Sequence, residues 1–215
     1  MELAPEPEGF DSKVRRPGLA AISELVGEPS PPRPGPRRVP VAQRREDIPP
    51  SSFPPFWREA IDDMLVAYKR LCAYTSLYIY PATGSPTVDH LWPKSARWDR
   101  AYEWSNYRLA CSLVNAYKGA AADVLDPFEI EDDWFGLEFV GYQVVARDGL
   151  GPEVLRRVEE TIERLGLNSD RCCRERAEYG EGYRSSDLTL SHVERHAPFI
   201  AREIRRQGQL RPRDA

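Results

Sequence analysis

Residues 1–52 carry many of the chain's 20 prolines, among them Pro29, Pro31, Pro32, Pro34, Pro36 and Pro40. Each proline fixes φ and removes an amide donor, and few apolar side chains lie between them to bury. The segment is expected to be a disordered tail, with order beginning near Phe56. One stretch interrupts it. From Gly18 to Val26, Leu19, Ile22, Leu25 and Val26 fall at helical spacing, which fits either a transient helix or a docking segment for a protein partner. The Arg37-Arg38 and Arg44-Arg45 pairs are solvated charges, too short a run to say more.

Residues 53–215 are long enough for one domain. Phe56, Trp57, Ile61, Met64, Leu65, Tyr68 and Leu71 predict an amphipathic helix over 56–74. Leu77-Tyr78-Ile79-Tyr80 is β-prone and ends at Pro81 and Gly84, and Pro86-Thr87-Val88-Asp89-His90 is a second extended piece. Residues 91–105 read as a loop anchored by Trp92, Trp98, Tyr102 and Trp104. Tyr107 to Lys118 reads as a helix with Gly119 as its C′ residue. Leu137 to Ala146 predicts one or two strands bending at Gly141. Three helices, Pro152–Leu165, Ser169–Tyr179 and Ser191–Gln207, complete the chain, with Asn168 and Ser191 as N-caps.

The formal net charge of −4 does not advertise nucleic-acid binding. A protein of this balance that binds phosphate must concentrate its positive charge locally. No run of about 18 apolar residues is present, and the N-terminus lacks the basic-then-apolar order of a secretory signal. Cys72, Cys111, Cys172 and Cys173 form no disulfide pattern. A cytoplasmic protein that does not enter the membrane is expected.

The chemistry-bearing residues gather between Asp89 and Lys118. A carboxylate beside a neutral imidazole suits two tasks: oxygen ligation of a hard cation and removal of a proton from water. Asp89-His90 alone equally fits a turn with a surface histidine. Asn106 precedes the predicted helix and fits an N-cap. Asn115 lies inside that helix, where asparagine is unfavourable, and it shares a stripe with Cys111 and Lys118. Simple surface exposure also accounts for that stripe.

The order is more specific than its parts. Val88-Asp89-His90-Leu91-Trp92-Pro93-Lys94-Ser95 is followed by Trp104-Ser105-Asn106-Tyr107-Arg108-Leu109-Ala110-Cys111, then Asn115-Ala116-Tyr117-Lys118-Gly119. Residues 87–119 resemble an HNH, or ββα-metal, endonuclease motif of the Asp-His…Asn…Asn kind. The interval between the asparagines is similar to that in the HNH domain of RNA-guided CRISPR nucleases. The stretch is most similar to standalone bacterial HNH proteins, some of them tied to anti-phage defence.

The resemblance implies an α+β fold: a small ββα-metal core within 77–119, flanked by helices on both sides. It implies that His90 activates the attacking water and that Asp89 and Asn115 bind one divalent ion, Mg²⁺ or Mn²⁺. Asn106 would hold the loop and orient His90 through a backbone hydrogen bond, and Lys94 and Lys118 would contact phosphate. The expected activity is hydrolysis of phosphodiester bonds in DNA or RNA, with rate rising over roughly pH 6–8, around the ordinary histidine pKa of about 6.5. The alternative is a catalytically silent or partner-activated nucleic-acid-binding effector of a bacterial defence or toxin system.

The chain departs from the family at the two Cys-x-x-Cys pairs that hold a structural zinc in many HNH proteins. The corresponding places hold Cys72 with Thr75 and Cys111 with Val114. Two thiolates do not complete a tetrahedral zinc site, so no zinc is expected. An aromatic core of Trp92, Trp98, Trp104, Tyr107 and Phe128 is expected in its place. His192 and His196, four apart on a predicted helix, have metal-binding spacing but no accompanying acid in a recognised pattern. Glu131, Asp132 and Asp133 read as a solvated loop, Asp126 as a support for the motif, and Arg195, Arg202, Arg205 and Arg206 as a basic helix face.

Overall fold

A computed structural model describes residues 1–214. The described residues form an α+β fold of seven α-helices and two separate two-stranded antiparallel sheets. The helices before the first sheet are α1 (Arg16–Leu25), continuing a π-helical turn at Asp11–Arg15, and α2 (Ile61–Ala67). Strands β1 (Pro86–His90) and β2 (Tyr107–Cys111) pair with Asp89 opposite Arg108 and His90 opposite Tyr107. Helix α3 (Ser112–Lys118) follows β2 without a loop. Strands β3 (Phe135–Leu137) and β4 (Val144–Ala146) form the second sheet. Helices α4 (Pro152–Arg164), α5 (Asp170–Ser185), α6 (Leu190–His196) and α7 (Pro198–Arg206) complete the chain. No helix is long and apolar enough to cross a membrane among the described residues.

The expected disordered tail is instead packed. Phe10 meets Trp104 and Tyr107 edge-on, at centroid distances of 5.6 and 5.8 Å. Val14, Ile22 and Leu25 are buried in the same core as Leu109 and Met64. Ala4 is bonded at both ends: its amide donates to the Tyr68 hydroxyl, and its carbonyl accepts from Trp104 Nε1 at 2.7 Å. Glu24 is buried against Arg33 and accepts the Arg38 amide. The prolines limit regular structure without preventing docking, because their missing amides are not needed where the chain runs over a surface.

Several local expectations change. The helix expected over 56–74 is a 3-10 turn, Phe56–Ala60, followed by α2, and it stops where Lys69 and Arg70 take left-handed φ of 51° and 61°. Leu77–Tyr80 makes only an isolated bridge, Leu71 to Tyr78. The helix expected over 107–118 is half strand. Its first five residues are β2, buried on both faces, so the period-2 signal of a half-exposed strand is missing. The two strands that precede α3 are therefore β1 and β2, and the 77–80 run is not a strand of that sheet. The last predicted helix is split at Ala197 by Pro198, and α6 is capped by Thr189, whose side chain accepts the His192 amide, rather than by Ser191. Asn168 bonds both backbone groups of Val144 instead of capping α5.

Candidate functional site

The alternation of β1 divides the motif between two faces. Val88 and His90 point into the core that contains Tyr107 and Leu109. Thr87 and Asp89 point the other way, under α3. Asn115 Nδ2 donates to Thr87 Oγ1 at 3.0 Å, and Lys118 Nζ donates to Asp89 Oδ1 at 3.1 Å. The three-residue spacing on α3 matches the two-residue spacing on β1, so one helix face reads alternate strand positions.

Asp89 is only 3% exposed. Its second oxygen accepts the Tyr74 hydroxyl at 2.5 Å. Burial pushes its carboxyl above the ordinary range, against the pull of Lys118. Lys118 is fully buried and spends its ammonium on Asp89 and on the carbonyls of His90 and Leu91, the former at 2.8 Å. It is not presented to solvent as the phosphate contact the resemblance implied. Lys94 is half-buried, with Nζ 4.1 Å above the Trp57 ring.

His90 is 8% exposed and sits 4.9 Å from the Trp57 ring and 5.2 Å from Tyr107. Its Nε2 is 2.9 Å from the Ala101 carbonyl oxygen. A carbonyl only accepts, so Nε2 carries the proton and Nδ1 is the basic nitrogen. The orienting carbonyl belongs to Ala101, not Asn106. Asn106 acts one residue away: its Nδ2 donates to the carbonyls of Arg100 and Trp92, and its Oδ1 accepts the Trp92 amide at 2.8 Å. Its side chain thus ties the start of the 91–105 loop to Arg100 within it.

Burial, with a smaller contribution from the Lys94 charge, pushes His90 down to about 3. The imidazole is then neutral across pH 6–8, and a rate limited by its deprotonation is level there rather than rising. Stability carries the signature instead. A histidine depressed in the folded state and ordinary in the unfolded state loses stability as pH falls below about 6.5. Wild type is expected to lose about 2 kcal/mol relative to His90→Gln between pH 7 and pH 5. Urea unfolding of both proteins in EDTA checks this, and parallel pH profiles would refute it.

The arrangement does not fit a hard divalent cation as it stands. Both Asp89 oxygens are engaged, one by an ammonium, and the Asn115 amide is turned to Thr87. No group of three or more His, Cys, Asp or Glu side chains is placed to hold a metal among the described residues. His192 and His196 stack at 4.1 Å, but His196 Nδ1 faces the His192 carbonyl at 2.9 Å. Of the expected basic face, Arg202, Arg205 and Arg206 are each paired with an acid, Asp132, Glu194 and Glu203 respectively.

The two half-pairs of cysteines do meet. The Cys111 amide donates to Cys72 Sγ at 3.4 Å. The neighbouring Cys111 side chain, helped by Thr75, holds Cys72 below the ordinary thiol range. Of the aromatics expected around them, Trp104 and Tyr107 are buried and Phe128 stacks on Tyr68, whereas Trp92 is exposed.

Three supporting residues escape sequence reasoning. Tyr74 holds Asp89, Trp57 covers His90, and Arg108 pairs through two nitrogens with Asp126. Trp57 and Tyr74 lie at the two ends of an expected helix whose stripe reads as simple core, and Arg108 lies within a segment expected to be helical. No protein-family model matches the chain, and no curated protein matches it.

Proposed function

We propose that the chain is a phosphodiesterase of the HNH kind acting on DNA or RNA. The observation that carries this is the ββα register, which sets Asp89, Asn115 and Lys118 on one face of the β1–β2 ribbon and aligns His90 by a backbone carbonyl. With Nε2 occupied, His90 Nδ1 takes the proton of a water attacking phosphorus, while the ester P–O bond breaks and the leaving oxygen is protonated from solvent. Lys94, on the His90 side, is the candidate phosphate contact. The four free cysteines fit the cytoplasmic setting expected for such a protein.

One observation favours a second reading. The Asp89–Lys118 pair and the buried His90 leave every motif side chain with an internal partner, as in a non-catalytic nucleic-acid-binding module that keeps the scaffold. Activity requires Lys118 to release Asp89, either on its own or through a protein partner that turns the module on. Plasmid and single-stranded RNA incubated with the full chain in Mg²⁺ or Mn²⁺ separate the two. Cleavage that falls at least about 100-fold in His90→Ala supports the enzyme, in line with the loss of a general base. Retained binding with no cleavage by wild type supports the module.

A further inference from the structure

A cavity of about 490 Å³ lies away from His90, walled by α2 and the turn after it, β3, β4 and helices α4, α5 and α7. Its lining is mainly apolar, with Leu165, Leu167, Phe135 and Phe199 among the walls. Arg176 also lines it. This arginine is 1% exposed, yet no carboxylate forms a salt bridge with it among the described residues. Its Nε and Nη2 are held by the carbonyls of Tyr142 and Leu167 at 2.7 and 2.8 Å, Nη2 also reaches Asn168 Oδ1 and Cys173 Sγ, and Nη1 donates to no group among those residues. Buried guanidinium charges are ordinarily paired, because moving an uncompensated ion out of water is costly. Arg202, which lines the same cavity, stands beside two acids, Asp132 and Glu203. Arg202 Nε is buried without a hydrogen bond, with its nearest carboxylate oxygen, on Glu203, 3.6 Å away.

We propose that this cavity is a binding site for a small amphipathic monocarboxylate, with the apolar body against the Leu165–Phe199 wall and the carboxylate supplying the missing counter-ion of Arg176. The lining side chains Lys69, Arg176 and Arg202 against Glu2 and Asp132 leave one positive charge, which matches a monoanion. Arg202 already pairs with Asp132, which leaves Arg176 as the buried cation on this wall with no acid. The volume falls in the range that houses ligands of drug-like size, and a mostly apolar lining with a few convergent polar groups is the usual make-up of such sites. Tyr74 is part of the wall, and its hydroxyl holds Asp89. A bound ligand therefore abuts the side chain that fixes Asp89. This coupling rests on the phosphodiesterase reading, whereas binding does not.

The test uses the full chain and two fluorescent probes, the anionic 8-anilinonaphthalene-1-sulfonate and the uncharged N-phenyl-1-naphthylamine. One saturable site for the anionic probe is expected, displaced by decanoate at concentrations at least tenfold below those needed for decan-1-ol. Arg176→Met should weaken the anionic probe at least tenfold and the uncharged one less than twofold. Because Arg176 also bonds the backbone, Ala73→Phe, which fills the cavity from another wall, provides a second variant, and it should weaken both probes at least tenfold. The site is overturned if no single saturable site is found, if decan-1-ol displaces as well as decanoate, or if Ala73→Phe binds like wild type. Since fluorescence reads binding alone, a failure here is separate from any failure of nuclease activity.

Discussion

Lys118→Met is expected to destabilise the protein by about 3–5 kcal/mol, the usual cost of removing one partner from a buried ion pair. The substitution nearly preserves volume, so packing loss is small, and the charge left behind on Asp89 dominates. Asp89 would keep only the Tyr74 hydroxyl in a site that excludes water. Its carboxyl, already pushed up by burial, would lose the ammonium that opposes that push. Two backbone carbonyls, of His90 and Leu91, would lose a donor as well. Removing both charges, in Asp89→Asn with Lys118→Met, should recover at least about 2 kcal/mol of the loss, as contacting pairs do in double-mutant cycles. Urea denaturation at pH 7.5 measures both. A cost under about 1 kcal/mol for the single variant would mean that Lys118 is not the counter-ion drawn here.

Gly18→Ala pits two effects against each other, and their sizes decide the sign. In an exposed helix interior the change would stabilise by about 1 kcal/mol, through helix propensity. Here Gly18 lies on α1 against Tyr102, and an added Cβ would stand 2.6 Å from Tyr102 Cδ1, with other ring atoms nearer. The ring has little room to retreat. Its hydroxyl donates to the Pro54 carbonyl at 2.8 Å, and it packs between Phe53, Phe56 and Trp57. Overpacking of this kind costs about 3 kcal/mol, the upper part of its usual range, so a net loss of about 2 kcal/mol is expected. Thermal melting checks the sign. A gain in stability would show that α1 is undocked in solution and that residues 1–52 are the loose tail their composition suggests.

How much of this is legible beforehand varies by residue. The spacing of Asn115 and Lys118 on one helix, and the order in which Asp89, His90 and Asn106 precede them, are properties of the string. They place β1 and the second half of the expected helix, which is α3, but not β2. Tyr107–Cys111 escapes because both of its faces are covered: Leu109 and Tyr107 by the core, Arg108 by Asp126. Alternation needs one face in water to be visible. The N-terminal segment escapes for a different reason. It is held by single anchors such as Phe10, by backbone bonds at Ala4, and by the missing side chain of Gly18, none of which has a period. What Lys118 touches is also hidden, since a lysine at the last position of a helix looks the same whether it meets phosphate or a buried carboxylate.

The ribbon carrying Asp89 and His90 gets its inner covering from Phe10, Trp57 and Met64, and its outer covering from Tyr74, α3 and the Asp126 turn. Residues 87–119 are thus a surface cut through a larger solid, not a transplantable cassette. Grafted alone into another protein, they would take the letters of the motif and leave behind the walls that keep His90 neutral and Asp89 dry.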